Sequence, residues 1–398
     1  MNILLVNHFP LEGSGSGIYM QNIARELTEM GHCVMTITPE HAEPAGYPFT
    51  TKALIFKDDN RDNGSELDFN FPCFTTHPVS SNTFYSLSDA QIKNYVDIYR
   101  NKIKEGANEI DADIIHCGHI WVAPYCAAGT GIPYVITCHG TDLMGFKKDP
   151  RYRNMALAAF EKADRIIAIS RHIQEEVIEV FGPPAEKTEL IYNGLNDGVF
   201  NMHPVDRKRL LSEFSVPEYG NLIVFVGKMT WFKGVDTLLR AAALYEKKLD
   251  SAGTLVIGQG ELMEDMQALA LELGLNNVHF LGQQPQETVS DIYNAADLAV
   301  VPSRREPFGL VAVEALACGT PVVGTDDGGL VDFINEEVGA LVGPDSPEEL
   351  ADTIVSEIES EAKKNKGAIC SRHVKEKFLW RSNALRLESI YKEIAGKT

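Results

Sequence analysis

Short apolar, β-branched runs alternate with longer stretches whose hydrophobic residues recur every three or four positions, the pattern of parallel strands joined by crossover helices. In the first half the runs predict strands at residues 3–7, 34–38, 113–116, 134–138, 166–169 and 189–192. A helix over 18–30 sets Ile18, Ile23, Leu27 and Met30 on one side and stops at Gly31. From 39 to 87 the pattern loosens into Pro, Asp, Asn, Gly and Phe, a length that compact domains keep for binding loops, and it is expected to shape an acceptor side. The periodicity pauses after Asn193-Gly194-Leu195-Asn196-Asp197-Gly198 and restarts at 221–227, with further strands at 254–257, 278–280, 298–301, 321–324 and 340–342.

Two successive sheets of similar size, each opening with an apolar strand and a glycine turn, predict an α/β chain of two Rossmann-like domains facing one another across a deep crevice. The expected domains are 1–198 and 206–376, with a hinge near 194–206. The final segment, 377–398, reads as a helix that either completes the second domain or crosses back to the first. The run 359–366 reads as a solvated helix end.

At 398 residues the chain is long enough for roughly two domains of ~100–200 residues. Its 44% hydrophobic and 23% charged content is that of an ordinary globular protein. The net charge is −20, and it is shared evenly: 16 basic and 26 acidic side chains up to residue 200, 20 and 30 beyond it. Without a basic half, a nucleic-acid partner is excluded and membrane association is not expected. Lys147, Lys148, Arg151 and Arg153 form the one comparable basic cluster. The first seven residues read as a buried strand with no leader pattern, and no run reaches the ~18 apolar residues of a membrane span. Seven scattered cysteines with no Cys-x-x-Cys pair read as reduced structural thiols, and a cytoplasmic protein is expected.

Three segments carry chemistry. Gly13-Ser14-Gly15-Ser16-Gly17 lies between the first strand and a helix, where glycines let backbone N–H groups approach a phosphate at the positive end of the helix; a tight turn alone is the other reading. Gly227-Lys228-Met229-Thr230-Trp231-Phe232-Lys233-Gly234 opens the second half with two lysines at a strand-to-helix turn, able to neutralise a diphosphate without a metal; two surface lysines on a solvated helix start are the other reading. In the stretch from Pro302 to Pro321, Glu306 and Glu314 stand about two helical turns apart, and between them the amides of Phe308, Gly309 and Leu310 open a helix. A buried acidic pair is costly without partners, so hydroxyl-rich ligand groups are the expected partners. His116, Cys117 and His119 lack a fourth metal ligand nearby, and no metal site is expected.

These segments together resemble the retaining glycosyltransferases of family 4, the glycogen synthase and sucrose synthase-like group with the two-domain GT-B fold. The Glu-x7-Glu segment of that family is similar to Glu306–Glu314 and its Gly-Arg/Lys-Leu-x-x-x-Lys-Gly signature to Gly227–Gly234, with Lys228 and Met229 as departures. Its His-Gly resembles Cys138-His139-Gly140-Thr141-Asp142, and its Asn-Gly-Val-Asp resembles Asn193-Gly194-Leu195-Asn196.

The resemblance implies that Lys228 and Lys233 hold the donor diphosphate and stabilise it as leaving group. It implies that Glu306 binds the transferred sugar, Glu314 the ribose, and the Phe308–Leu310 amides the sugar or diphosphate. His139 would line the sugar site, Asn193 would contact substrate, and Gly15, Ser16 and Gly17 would close over the diphosphate. It further implies a nucleoside diphosphate sugar, expected to be UDP-linked, as substrate, a small-molecule or glycan acceptor, no cofactor and no metal. Retention would follow a front-face departure in which a phosphate oxygen takes the acceptor proton. A sugar-nucleotide epimerase, an inverting transferase on the same fold and a non-catalytic sugar-nucleotide-binding protein are the alternatives.

Overall fold

The computed structural model describes residues 1–396 except 61, 76, 78, 81, 183–184 and 361–365, so most of the predicted helix end at 359–366 lies outside the described residues. The chain forms two compact units, Met1–Asn193 with Trp380–Thr398, and Gly194–Leu379.

The first unit runs β1 (Asn2–Val6), α1 (Gly15–Glu29), β2 (Cys33–Glu40), β3 (Thr50–Ile55), β4 (Pro72–Cys73), β5 (Asn82–Thr83), α2 (Asp89–Glu109), β6 (Ile114–Gly118), α3 (Ala123–Ala127), β7 (Tyr134–Cys138), α4 (Thr141–Lys148), α5 (Arg153–Lys162), β8 (Arg165–Ala168), α6 (Arg171–Phe181) and β9 (Thr188–Leu190). Its seven-stranded sheet has the order β3-β2-β1-β6-β7-β8-β9, and every pairing is parallel. The order reverses at β1 and β6, so the connections leaving those two strands diverge to opposite faces.

β3 lies inside the stretch expected to be irregular. Its Thr-Thr-Lys-Ala-Leu-Ile sequence sits at the sheet edge, paired with β2 from Met35 opposite Thr50, and an edge strand with a lysine at its centre lacks the apolar run that marks a buried one. α2 needs no such context: Ser88 and Gln91 form a reciprocal capping box at its start.

The second unit runs α7 (Arg207–Glu213), β10 (Asn221–Val226), α8 (Val235–Tyr245), β11 (Ala252–Ile257), α9 (Met263–Glu272), β12 (Val278–Gly282), α10 (Gln286–Ala295), β13 (Leu298–Val301), α11 (Leu310–Ala317), β14 (Val322–Thr325), β15 (Gly339–Val342), α12 (Pro347–Glu359) and α13 (Lys366–Lys375). Its six strands are ordered β12-β11-β10-β13-β14-β15, all parallel, with the reversal at β10 and β13. Leu238, Leu239, Ala242 and Tyr245 of α8 and Leu350, Ala351 and Ile354 of α12 cover one face of this sheet.

The last helix, α14 (Trp380–Ile394), belongs to the first unit. Trp380, Ala384, Leu387 and Tyr391 recur at helical spacing and share one core with Tyr19, Ile23 and Leu27 of α1. Tyr391 also hydrogen-bonds the buried His116.

Among the described residues no helix is long and apolar enough to cross a membrane. The basic cluster is engaged locally. Lys147 pairs with Glu176 at 2.9 Å, Lys148 lies 4.0 Å over the Tyr85 ring, and Arg151 holds Asp149 at 2.7 Å and the carbonyl of Tyr85 at 3.2 Å. Arg153 donates to the carbonyls of Phe146 and Lys147. The Lys148 and Arg151 contacts brace the chain between β5 and α2 against the end of α4 and the turn after it, while Lys147 ties α4 to α6.

Candidate functional site

In open parallel sheets, ligands bind beyond the carboxyl ends of the strands where the strand order reverses. Gly15, Ser16 and Gly17 follow β1 in the first unit, and Lys228, Lys233 and Glu306 follow β10 and β13 in the second, whereas His139 and Asn193 follow β7 and β9.

In the second unit, β10 ends at Val226 and leads into Gly227 and Lys228; a short 3-10 turn, Trp231–Lys233, then brings up Lys233. β13 ends at Val301 and leads through Ser303 to Glu306. The two loops are drawn together because Gly234, at φ +64°, packs so close to β13 that an added Cβ would sit 2.0 Å from the Pro302 carbonyl oxygen. Lys233 Nζ then donates to Glu306 Oε2 at 2.6 Å, and Ser303 Oγ donates to the same oxygen at 3.1 Å. The Glu306 side chain is 7% exposed, that of Lys233 26%. Glu306 therefore has partners within the protein, whereas its residue type and spacing alone pointed only to a ligand's hydroxyls. Of its two carboxylate oxygens, Oε2 takes both bonds.

Glu314 lies on the same helix-opening segment but in a different setting. Burial pushes its carboxyl up to about 7. The helix that carries it, α11, opens at Gly309 as N-cap, so the N–H groups of its first turn are directed out of its end. The side chain of Phe308 is buried against Phe333 and Phe378, with ring centroids 5.5 and 5.6 Å away, so only its backbone faces outward chemistry.

Arg304 was not singled out by its sequence context, yet it braces the lysine turn. Its guanidinium takes Asp236 through two bonds of 2.8 and 2.7 Å, Asp345 at 2.6 Å and the Trp231 carbonyl at 2.7 Å, and it lies 4.9 Å from the exposed Trp231 ring. The Arg-Arg pair beside Glu306 carried no spacing signal; its partners come from α8 and the loop before α12.

In the first unit, Gly15, Ser16 and Gly17 open α1, and the Ser14 hydroxyl caps it by accepting the Gly17 N–H at 3.0 Å. Gly17 is required there, because an added Cβ would meet the Pro10 carbonyl oxygen at 2.1 Å. His139 follows β7. It is buried against Tyr19 and His119, with ring centroids 5.1 and 4.9 Å away, and among the described residues its Nε2 has no hydrogen-bond partner. Burial, reinforced by His119, holds it well below the usual histidine range, against the pull of Asp142, so its ring is neutral. It can exchange hydrogen bonds with a hydroxyl but offers no charge.

Asn193 closes the first unit, buried, with its Oδ1 unpartnered among the described residues. His116 spends both ring nitrogens on Tyr391 and Thr137 and is closed to a metal. Among the described residues no three His, Cys, Asp or Glu side chains are grouped to hold one.

The profile of the glycosyl transferases group 1 matches residues 206–371, and that of glycosyltransferase family 4 matches residues 13–198. An uncharacterised glycosyltransferase of Methanocaldococcus jannaschii is 32% identical over 303 residues, covering 70% of this chain and 75% of the relative. The N-acetyl-alpha-D-glucosaminyl L-malate synthase of Bacillus anthracis is 26% identical over 389 residues, 96% of this chain and 94% of its own. In structure, Anabaena HepE in complex with UDP and glucose aligns with a TM-score of 0.76 at 19% identity, over 99% of this chain and 100% of the other. At that identity the likeness shows the fold, which is GT-B.

Proposed function

The chain belongs to the family 4 glycosyltransferases, and from that membership we propose that it is a retaining hexosyltransferase that moves a sugar from a UDP-sugar to a hydroxyl of a small or soluble acceptor. The observation that carries the site assignment is the Lys233–Glu306 pair at the reversal point of the second sheet.

The chemistry of this step is loss of a diphosphate, and the negative charge on the leaving oxygen must be met as it develops. Lys228 and Lys233 supply two positive charges on one turn, and the first turn of α11 adds oriented N–H groups, so no metal is needed for neutralisation. Glu306, held by Lys233 and Ser303, accepts hydrogen bonds from hydroxyls of the transferred sugar through the oxygen those two leave free. Glu314 takes the ribose. In the first unit, neutral His139 hydrogen-bonds a sugar hydroxyl, the Gly15–Gly17 turn meets the diphosphate, and Asn193 contacts substrate.

Glu306 and Glu314 serve different parts of the donor and do not form the facing pair of a double-displacement glycosidase. A front-face reaction fits better: the departing phosphate oxygen takes the acceptor's proton, which requires no protein base. The seven free cysteines, all buried except Cys33, suit a reducing cytoplasm. UDP among the relatives' ligands, in the HepE complex, favours that donor base, and the malate synthase favours a small acceptor.

The test is release of nucleoside diphosphate from a panel of UDP-, GDP- and ADP-sugars in the presence of EDTA, with the product's anomeric configuration read by NMR. Release by the parent and its loss in Lys233→Ala and Glu306→Gln support the assignment. Equal release by those variants sinks it, an inverted product sinks retention, and inhibition by EDTA sinks the metal-free reading.

A further inference from the structure

A row of polar atoms buried in the first unit is not used by the chemistry above. The Asp142 carboxyl is fully buried, and its Oδ1 accepts the N–H groups of Gly140 at 2.8 Å and Leu143 at 3.1 Å. Its other oxygen, Oδ2, has no hydrogen-bond partner among the described residues, nor does Nδ1 of the equally buried His119. These two orphaned atoms face each other at 3.8 Å. On the far side of the same ring, His119 Nε2 lies 3.2 Å from the Ser16 hydroxyl.

The ring has little freedom to turn elsewhere. Phe9, Phe74, His8 and His139 surround it at centroid distances of 5.2, 5.6, 5.8 and 4.9 Å. His8 does not compete for its nitrogens, since its own are taken by Tyr95 and the Trp121 carbonyl. The His119 backbone sits at φ +73°, a conformation that a non-glycine residue holds only when its surroundings impose it. Burial drives its ring down to about 3, so it is neutral and carries one hydrogen. An approach of about 1 Å would bring Nδ1 and Oδ2 to hydrogen-bond distance, and contacts of this kind commonly tighten only when substrate is held.

We infer that Asp142, His119 and Ser16 form a positioning relay: the Asp142 carboxylate keeps the His119 hydrogen on Nδ1, Nε2 accepts the Ser16 hydroxyl hydrogen, and the Gly15–Gly17 turn is thereby fixed for substrate. A carboxylate opposite one ring nitrogen selects the tautomer with hydrogen on that nitrogen. Ser14 Oγ lies 3.5 Å from Ser16 Oγ and already caps α1 through Gly17. His119 acts through Ser16 and is a positioning residue; the inference rests on the glycosyltransferase reading for what the turn does, though not for the relay itself.

The experiment uses the full chain and the variants Ser16→Ala, Asp142→Asn and their double. Asn in place of Asp142 keeps the oxygen that Gly140 and Leu143 use and presents an N–H to His119, which reverses the tautomer. Each single variant is expected to lower kcat by roughly 10- to 100-fold, with donor KM and melting temperature little changed. The double variant should be no slower than the slower single. Multiplied losses in the double would mean that Asp142 acts through His139 or the fold instead, and would overturn the relay.

Nitrogen NMR of the imidazoles, with His119 assigned through His119→Gln, gives a readout independent of turnover. Hydrogen on Nδ1 in the parent and on Nε2 in Asp142→Asn is expected; hydrogen on Nε2 in the parent overturns the proposal. If no nucleotide sugar is turned over by the parent, the enzyme reading fails while the tautomer result still decides the relay.

Discussion

Lys233 donates its ammonium to the same Glu306 oxygen that the Ser303 hydroxyl also reaches, at 2.6 and 3.1 Å. The pair joins the loop after β10 to the loop after β13, 73 residues apart in sequence. It fixes one carboxylate oxygen of Glu306, and on the proposed reading it holds a cation where the donor diphosphate is met.

Without Lys233 the buried Glu306 carboxylate keeps the Ser303 hydroxyl but loses its countercharge. Lys233→Ala is expected to lower the rate of diphosphate release by ~100- to 1,000-fold, the loss typical of one donor aimed at developing negative charge. If the pair works as a unit, Lys233→Ala combined with Glu306→Gln will cost little more than Lys233→Ala alone, measured by steady-state kinetics.

If Glu314 holds the donor ribose as proposed, donor binding should depend on pH. Its carboxyl titrates near 7 because burial disfavours the charge, and ribose hydroxyls donate best to the ionised form. UDP affinity measured calorimetrically should therefore rise as pH increases through about 7 and level off above it. In Glu314→Gln the dependence at that pH should vanish, with weaker binding at pH 8.

The same shift has a stability consequence of opposite sense. A carboxyl raised from its ordinary 4.5 to about 7 favours the folded state below pH 4.5, and that advantage disappears as pH rises through 7. The full shift corresponds to at most about 3 kcal/mol, less for a group partly open to solvent. Glu314→Gln should accordingly melt higher than the parent at pH 8 and no higher at pH 4.5, a trade of stability for binding.

Arg304 braces the lysine turn through a two-pronged bond to Asp236 and its contact with Trp231. Lysine can keep the charge but neither the fork nor the stacking. Arg304→Lys should cost about 1–3 kcal/mol in unfolding free energy and raise donor KM roughly 10-fold, equivalent to about 1.4 kcal/mol, with kcat less affected.

Gly17→Ala places a methyl 2.1 Å from the Pro10 carbonyl oxygen, a backbone atom that cannot move aside without shifting the turn. A loss of about 1–3 kcal/mol of stability is expected, together with loss of transfer activity, by thermal melting and the release assay. Gly15→Ala, where an added Cβ meets nothing within 4 Å, is the control for stability.

The buried strands and the three glycine- or lysine-bearing turns were legible along the chain because each follows from a local pattern: an apolar run, a turn residue and a helix start. Edge strand β3 was not, because its half-exposed Thr and Lys residues resemble loop composition. Arg304 and His119 were not singled out as site residues because their significance lies in partners from distant segments, Asp236 and Asp345 for one, Ser16 and Asp142 for the other.

By itself, the sequence determined the α/β class, the two-sheet layout and the residue types able to meet a diphosphate and a sugar. Those depend on periodicity and on side-chain chemistry, which are properties of neighbouring residues. Only the tertiary structure decided that Lys233 is tied to Glu306, that burial raises the Glu314 carboxyl and that His139 is neutral. Charge pairing and desolvation depend on what stands within a few ångströms in space, and the parallel sheets bring together groups that lie far apart along the chain, as Lys233 and Glu306 do.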